Sequence, residues 1–213
     1  MKGIQNMKTT TLKLLAIGAL ALAGAPAAFA TAVVDPAGDF LPTYTGPQAG
    51  DLDVIGISVI LDGSDFVLTA TLNGAVGTTT GARYIWGVNR GAGAPGFASI
   101  GLNGVLFDAV IALANTGAAP TVLGTALPAN AVTISGSTIS LRIASSILPS
   151  TGFTPEQYGF NLWPRAPGNG NAFLSDFAPN NSTISVPEPA TLGVMLFGLA
   201  GALATRRRQL QRG

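Results

Sequence analysis

Ile55-Gly56-Ile57-Ser58-Val59-Ile60-Leu61-Asp62-Gly63-Ser64-Asp65-Phe66-Val67-Leu68-Thr69-Ala70-Thr71-Leu72 is the stretch from which the fold can be read. Ile55, Ile57, Val59 and Leu61 alternate with smaller residues. After Asp62-Gly63-Ser64-Asp65, Phe66, Leu68, Ala70 and Leu72 alternate with Val67, Thr69 and Thr71. Successive side chains of a strand point to opposite faces, so a period of two around a Gly turn predicts an antiparallel hairpin. A second hairpin is predicted where Val132 and Ile134 precede Ser135-Gly136-Ser137, followed by Ile139, Leu141 and Ile143, with Thr138, Ser140 and Arg142 facing outward.

Beyond these hairpins, further strands are expected at Arg83 to Val88, Ser99 to Leu113 and Tyr158 to Trp163, separated by punctuation at Gly91 to Gly96 and Pro164 to Asn171. Ser145 to Leu148 and Pro155 to Tyr158 suggest single helical turns, and Asn115 to Ala131 reads as a long loop. Many short strands with Gly turns predict an all-β, antiparallel β-sandwich domain over residues 31–177. The polar stretch 178–185 reads as a linker, a tether between that domain and the C-terminal segment.

Composition narrows the function classes. The 213 residues contain 28 Gly, 14 Pro, no Cys and no His. Without His or Cys there is no Ser-His-Asp triad, no thiol nucleophile and no His-ligated zinc. Paired carboxylates can hydrolyse glycosides, yet Glu156 is the single Glu between Thr31 and Ser185. The domain is therefore expected not to be an enzyme. That segment holds four Arg, no Lys and nine carboxylates, a net charge of −5, which argues against nucleic acid as a partner.

The remaining positive charge lies at the two ends. Lys2, Lys8 and Lys13 precede the apolar run Leu14 to Ala25, and Ala28-Phe29-Ala30 supplies small residues at the positions a signal peptidase reads. Residues 1–30 are expected to be a cleaved signal peptide helix, with Thr31 as the first mature residue. The run of 12 residues spans about 18 Å as a helix, against a hydrocarbon core of roughly 30 Å. At the other end, residues 186–213 comprise Val186-Pro187-Glu188-Pro189, an uncharged stretch from Ala190 to Thr205, and Arg206, Arg207, Arg208 and Arg212. The two prolines keep the entry extended. The 16 uncharged residues reach about 24 Å, enough for a short transmembrane helix if Arg stems snorkel. Basic residues stay on the cytoplasmic side, so both ends specify one topology with the domain translocated.

Val186, Pro187, Glu188, Pro189, Arg206, Arg207 and Arg208 resemble the PEP-CTERM sorting signal of Gram-negative bacteria: a Pro-Glu-Pro motif, a short membrane helix and an Arg-rich end. The resemblance implies recognition and cleavage by a membrane-embedded exosortase. It also implies an inner-membrane intermediate with a periplasmic domain, and delivery to the cell surface or an exopolysaccharide matrix. Leu148-Pro149-Ser150-Thr151-Gly152 matches a sortase motif, but it lies more than fifty residues ahead of the Arg cluster and reads as a loop.

Two roles for the domain stay open, a structural one and a carbohydrate-binding module for envelope polysaccharide, with or without Ca²⁺. Asp35, Asp39, Asp51 and Asp53 cluster around Gly38, Gly46 and Gly50 and are candidate Ca²⁺ ligands, or alternatively turn caps and strand-edge charges. Tyr84, Trp86, Tyr158, Phe160 and Trp163 are either core or a sugar-stacking platform. Period two puts Tyr84 with Trp86 on one face, and Tyr158, Phe160 and Leu162 on one face opposite Trp163.

Overall fold

Strand pairing starts from the predicted hairpins. Their register places Asp62 opposite Asp65 and Ser135 opposite Thr138, leaving two-residue loops at Gly63-Ser64 and Gly136-Ser137. Gly63 takes φ +62°, the left-handed value that such a loop needs to match the strand twist. The computed structural model describes residues 29–115 and 118–186. The expected signal helix up to Ala28 and the tail beyond Val186 lie outside these residues.

Strands follow in chain order as β1 (Phe29–Val34), β2 (Val54–Asp62), β3 (Asp65–Leu72), β4 (Arg83–Asn89), β5 (Ala94–Phe97), β6 (Leu102–Phe107), β7 (Ala109–Ala114), β8 (Thr121–Val122), β9 (Thr125–Ala126), β10 (Val132–Ser135), β11 (Thr138–Ala144), β12 (Gly159–Arg165) and β13 (Ile184–Ser185). One sheet runs β1-β2-β3-β11-β10 and the other β13-β12-β4-β7-β8-β9, every pairing antiparallel. A β5–β6 hairpin stands apart. The described chain is thus all-β, two antiparallel sheets packed together, with helical structure limited to single 3₁₀ turns, including those expected at Ser145 and Pro155.

Between the sheets, Phe66, Leu68 and Leu72 of β3 and Ile139, Leu141 and Ile143 of β11 meet Tyr84, Trp86, Val88, Ile111, Phe160 and Leu162 of the opposite sheet. Each large apolar side chain removed from water here contributes about 1.5–3 kcal/mol. A second, smaller core lies on the outer face of β12 and β4, where Trp163 packs with Phe97, Val105, Leu174 and Phe177 under the β5–β6 hairpin. The β12 strand is consequently buried on both faces along nearly its whole length.

Several expectations require correction. A register shift between Val54 and Gly56 breaks the alternation at the start of β2: Ile57 and Val59 are buried as expected, but Val54 rather than Ile55 faces the core. The single strand expected from Ser99 to Leu113 breaks at Asp108 into β6 and β7. The loops expected at 91–96 and 115–131 contain β5, β8 and β9.

The tether at 178–185 is not free. Ala178 bridges to Leu162, β13 pairs with β12, and Ala178, Ile184 and Val186 are buried. The domain therefore continues through Val186 rather than ending at 177. The strip from Leu174 to Val186 lines the edge of β12, and this placement positions the candidate site.

Candidate functional site

Carboxylates converge where the end of β1 meets that strip. Asp35 follows β1 directly, and its backbone N–H is held by the Ile55 carbonyl at 3.1 Å. A turn then brings Asp39 back, with Gly38 at φ +82° between the two. From the other end of the chain, Asp176 enters beside them, fixed by the Leu41 N–H to Ser175 carbonyl bond at 2.9 Å. One oxygen from each of Asp35, Asp39 and Asp176 lies within 4.8 Å of the others.

Asp35 is 5% exposed and Asp176 fully buried. Both Asp176 oxygens accept backbone N–H bonds, from Val54 at 2.8 Å and Phe177 at 2.7 Å. Asp39 Oδ2 accepts from Asn180 Nδ2 at 3.2 Å. Asp35 Oδ2 and Asp39 Oδ1 are buried with no hydrogen-bond partner among the described residues. Burial first, then the charges of Asp39 and Asp53, push the Asp35 carboxyl up to about 7. Burial likewise drives Asp176 to about 8, with Asp35 and Asp39 adding to the shift against the opposing N–H bonds.

The four Asp residues predicted as one set do not form one. Asp51 faces away, its carboxylate taken by the Thr79 N–H and hydroxyl, both at 2.7 Å, with the Tyr84 hydroxyl at 3.5 Å. It performs the turn-holding role. Asp53 is intermediate: Oδ2 accepts from Gly38 N and Asn73 Nδ2, each at 2.8 Å, while Oδ1 is buried without a partner. Asp176 was missed because it lies more than 120 residues from the others. The signal available was a lone carboxylate inside the apolar run Leu174 to Ala178.

Other sequence candidates resolve differently. Tyr84, Trp86, Tyr158, Phe160 and Trp163 are all buried on the predicted faces, so they form core and offer no stacking platform. The sortase-like loop is folded into the domain. Leu148 is buried and its carbonyl accepts from the Tyr158 hydroxyl at 2.8 Å, Arg90 Nη1 donates to the Pro149 carbonyl at 2.9 Å, and the Thr151 hydroxyl donates to Asp108.

Arg83 and Arg165 sit directly opposite each other on β4 and β12 and line a cleft of about 360 Å³ with Ile85, Pro167 and Asn169. Arg165 is held by the Gly170 carbonyl at 3.0 Å. Arg90 and Arg142 pair with Asp108, Asp62 and Asp65, whereas neither cleft arginine has a carboxylate partner among the described residues.

At the chain's exit, Val186 is 4% exposed behind β13. The family profile described as the PEP-CTERM protein-sorting motif matches residues 185–208. The chain carries a PEP-CTERM sorting motif. The motif implies processing by an exosortase and export with sorting to the cell surface. It takes in Val186, Pro187, Glu188, Pro189 and Arg206 to Arg208. Only Val186 of these belongs to the described residues, and Ala28 of the expected signal cleavage site lies outside them. Comparison with curated proteins finds no match.

Proposed function

We propose that this PEP-CTERM protein is displayed at the cell surface or in the exopolysaccharide matrix of a Gram-negative bacterium, with a non-catalytic, structural β domain. The observation that carries this reading is the junction between domain and motif. The sorting match begins at Ser185, inside β13, which is hydrogen-bonded to β12. Cleavage in the following Pro-Glu-Pro stretch would release a folded domain with almost no residual tail.

The test is fractionation with mass spectrometry. Surface-released wild type should lack the Arg212 end, and Glu188→Ala should leave unprocessed protein in the inner membrane. Replacement of Arg206, Arg207 and Arg208 should also block release, by weakening the stop and orientation signal. Recovery of an intact Arg212 end on released wild type would sink the reading.

A second reading, carbohydrate binding, rests on the Arg83–Arg165 cleft. Like charges opposite one another on neighbouring strands repel, and an anionic group between them relieves that cost. An acidic sugar fits such a cleft better than a neutral one, since guanidinium groups clasp carboxylates through charge-assisted hydrogen bonds. Titration with polygalacturonate should give saturable binding that Arg83→Ala abolishes. Equal heats from wild type and variant would reject it.

A further inference from the structure

We propose that Asp35, Asp39 and Asp176 bind one Ca²⁺ ion, which latches the strip leading into the sorting motif onto the N-terminal end of the domain. Ca²⁺ holds oxygen ligands at 2.3–2.6 Å, so two ligands on opposite sides of one ion stand at most about 5.2 Å apart. The 4.8 Å envelope of these three oxygens falls inside that limit with no rearrangement.

The independent sign of a ligand is the unmet bonding. Asp35 Oδ2 and Asp53 Oδ1 are acceptors on side chains at least nine-tenths buried, and neither finds a donor among the described residues. Asp39 Oδ1, also without a donor, belongs to a side chain only partly buried, which leaves the cluster a route to water. Buried carboxylates are ordinarily paired with cations or fully hydrogen-bonded, because an uncompensated buried charge is strongly unfavourable. Among the described residues, Arg does not supply the compensation. The described Arg residues that form ion pairs are Arg90 and Arg142, with Asp108, Asp62 and Asp65, none of them in this cluster.

Hard, all-oxygen donors favour Ca²⁺ over transition metals. Mg²⁺ demands near-ideal octahedral geometry at about 2.0–2.1 Å and dehydrates reluctantly, so a partly buried cage of protein carboxylates suits Ca²⁺ better. Three carboxylates supply part of the six to eight oxygens that Ca²⁺ takes, and water reaching Asp39 completes the set. Sites of this kind on extracellular modules have a Kd of about 10⁻⁴–10⁻³ M. The ion would thus be taken up outside the cell, after translocation. The proposal concerns the domain's own residues and does not depend on exosortase cleavage.

The test uses full-length protein in detergent, freed of metal with EGTA, then titrated with CaCl₂ by calorimetry and by thermal melting. Wild type should bind one equivalent in the millimolar range or tighter, with a saturable rise in Tm that MgCl₂ does not match. Asp39→Asn, at a half-buried position that tolerates an isostere, should weaken binding at least tenfold. Asp35→Asn should raise Tm in EGTA by relieving repulsion while losing the Ca²⁺ response. Asp62→Asn, on the distant β2–β3 turn, should bind as wild type does. A folded wild type with no heat and no Tm change at 10-fold excess over about 1 mM Ca²⁺ would overturn the proposal. So would a Ca²⁺ response in Asp39→Asn equal to that of wild type.

Discussion

The hydroxyl of Thr31 donates a hydrogen bond to the carbonyl of Ser185 at 2.7 Å. Thr31 is the expected first residue of the mature chain and Ser185 the first residue of the sorting match, so the two membrane-directed ends leave the domain side by side. Cleavage after Ala30 removes Phe29 and Ala30 from β1, with their pairings to Leu61 and Ile60, and leaves the rest of the strand in place. N-terminal sequencing of the exported protein should return Thr31. Thr31→Val should cost about 0.5–1.5 kcal/mol in denaturant unfolding, the net worth of one hydrogen bond.

The acidic cluster gives a pH signature in chelator. The folded-state values of Asp35 and Asp176, about 7 and about 8, lie above the ordinary 3.8, so the native state holds protons that the unfolded chain releases. Stability from this source is present below about pH 4 and is lost as pH rises through 7 to 8. Asp39 and Asp53, packed against Asp35, make the two titrations interdependent. Tm in EGTA should therefore fall between pH 5 and pH 8, attributed to this cluster by a flatter profile in Asp35→Asn.

Arg90 and Asp108 form a nearly enclosed pair at 3.0 Å. Burial opposes ionisation of Asp108, but hydrogen bonds from Thr151, Arg90 and Ala92 outweigh it and hold the carboxyl below its usual range. Arg90→Ala removes the guanidinium from Asp108 and from the Pro149 carbonyl while the Thr151 hydroxyl and the backbone N–H groups of residues 90 and 92 still bond the carboxylate, with an expected loss of about 1–3 kcal/mol in denaturant unfolding. The Leu148–Gly152 loop should then become protease-sensitive, whereas wild type resists cleavage there.

Trp86 and Trp163 are both buried, in different cores. Their fluorescence should be blue-shifted, poorly quenched by acrylamide and unmoved by polysaccharide. Trp163→Ala opens a cavity among Phe97, Phe107 and Phe177 and should destabilise by about 3–5 kcal/mol, measured by chemical denaturation.

Strands were legible wherever one face is core and the other water, as in β3 and β11, because burial then writes a period of two into the sequence. The bulge at Val54–Gly56 was not, since a single extra residue leaves composition unchanged while switching the face of the residues ahead of it. The two-residue strands β8 and β9 are too short to show any period. The strip 178–185 looked like a tether because most of its residues are polar, and the spacing of two between Ile184 and Val186 was the faint sign of β13. Asp35, Asp39 and Asp53 could be named from local density of Asp. Asp176 depends on a contact between the two ends of the chain, which local pattern does not encode.

The short pairing of β13 has a mechanical consequence for a protein held by its C-terminal end. Any pull enters at Val186 and reaches Gly159↔Ser185 before Phe160↔Ile184, so these bonds are loaded one after another, followed by the Asn161 side-chain bonds to the Ser182 and Pro179 carbonyls. Peeling continues past the Leu162↔Ala178 bridge until it meets Asp176, where the chain is bonded to Val54 of the opposite sheet. Under drag residues 177–186 act as a yielding strap that lengthens first, before Asp176 gives way and the two-sheet body is opened.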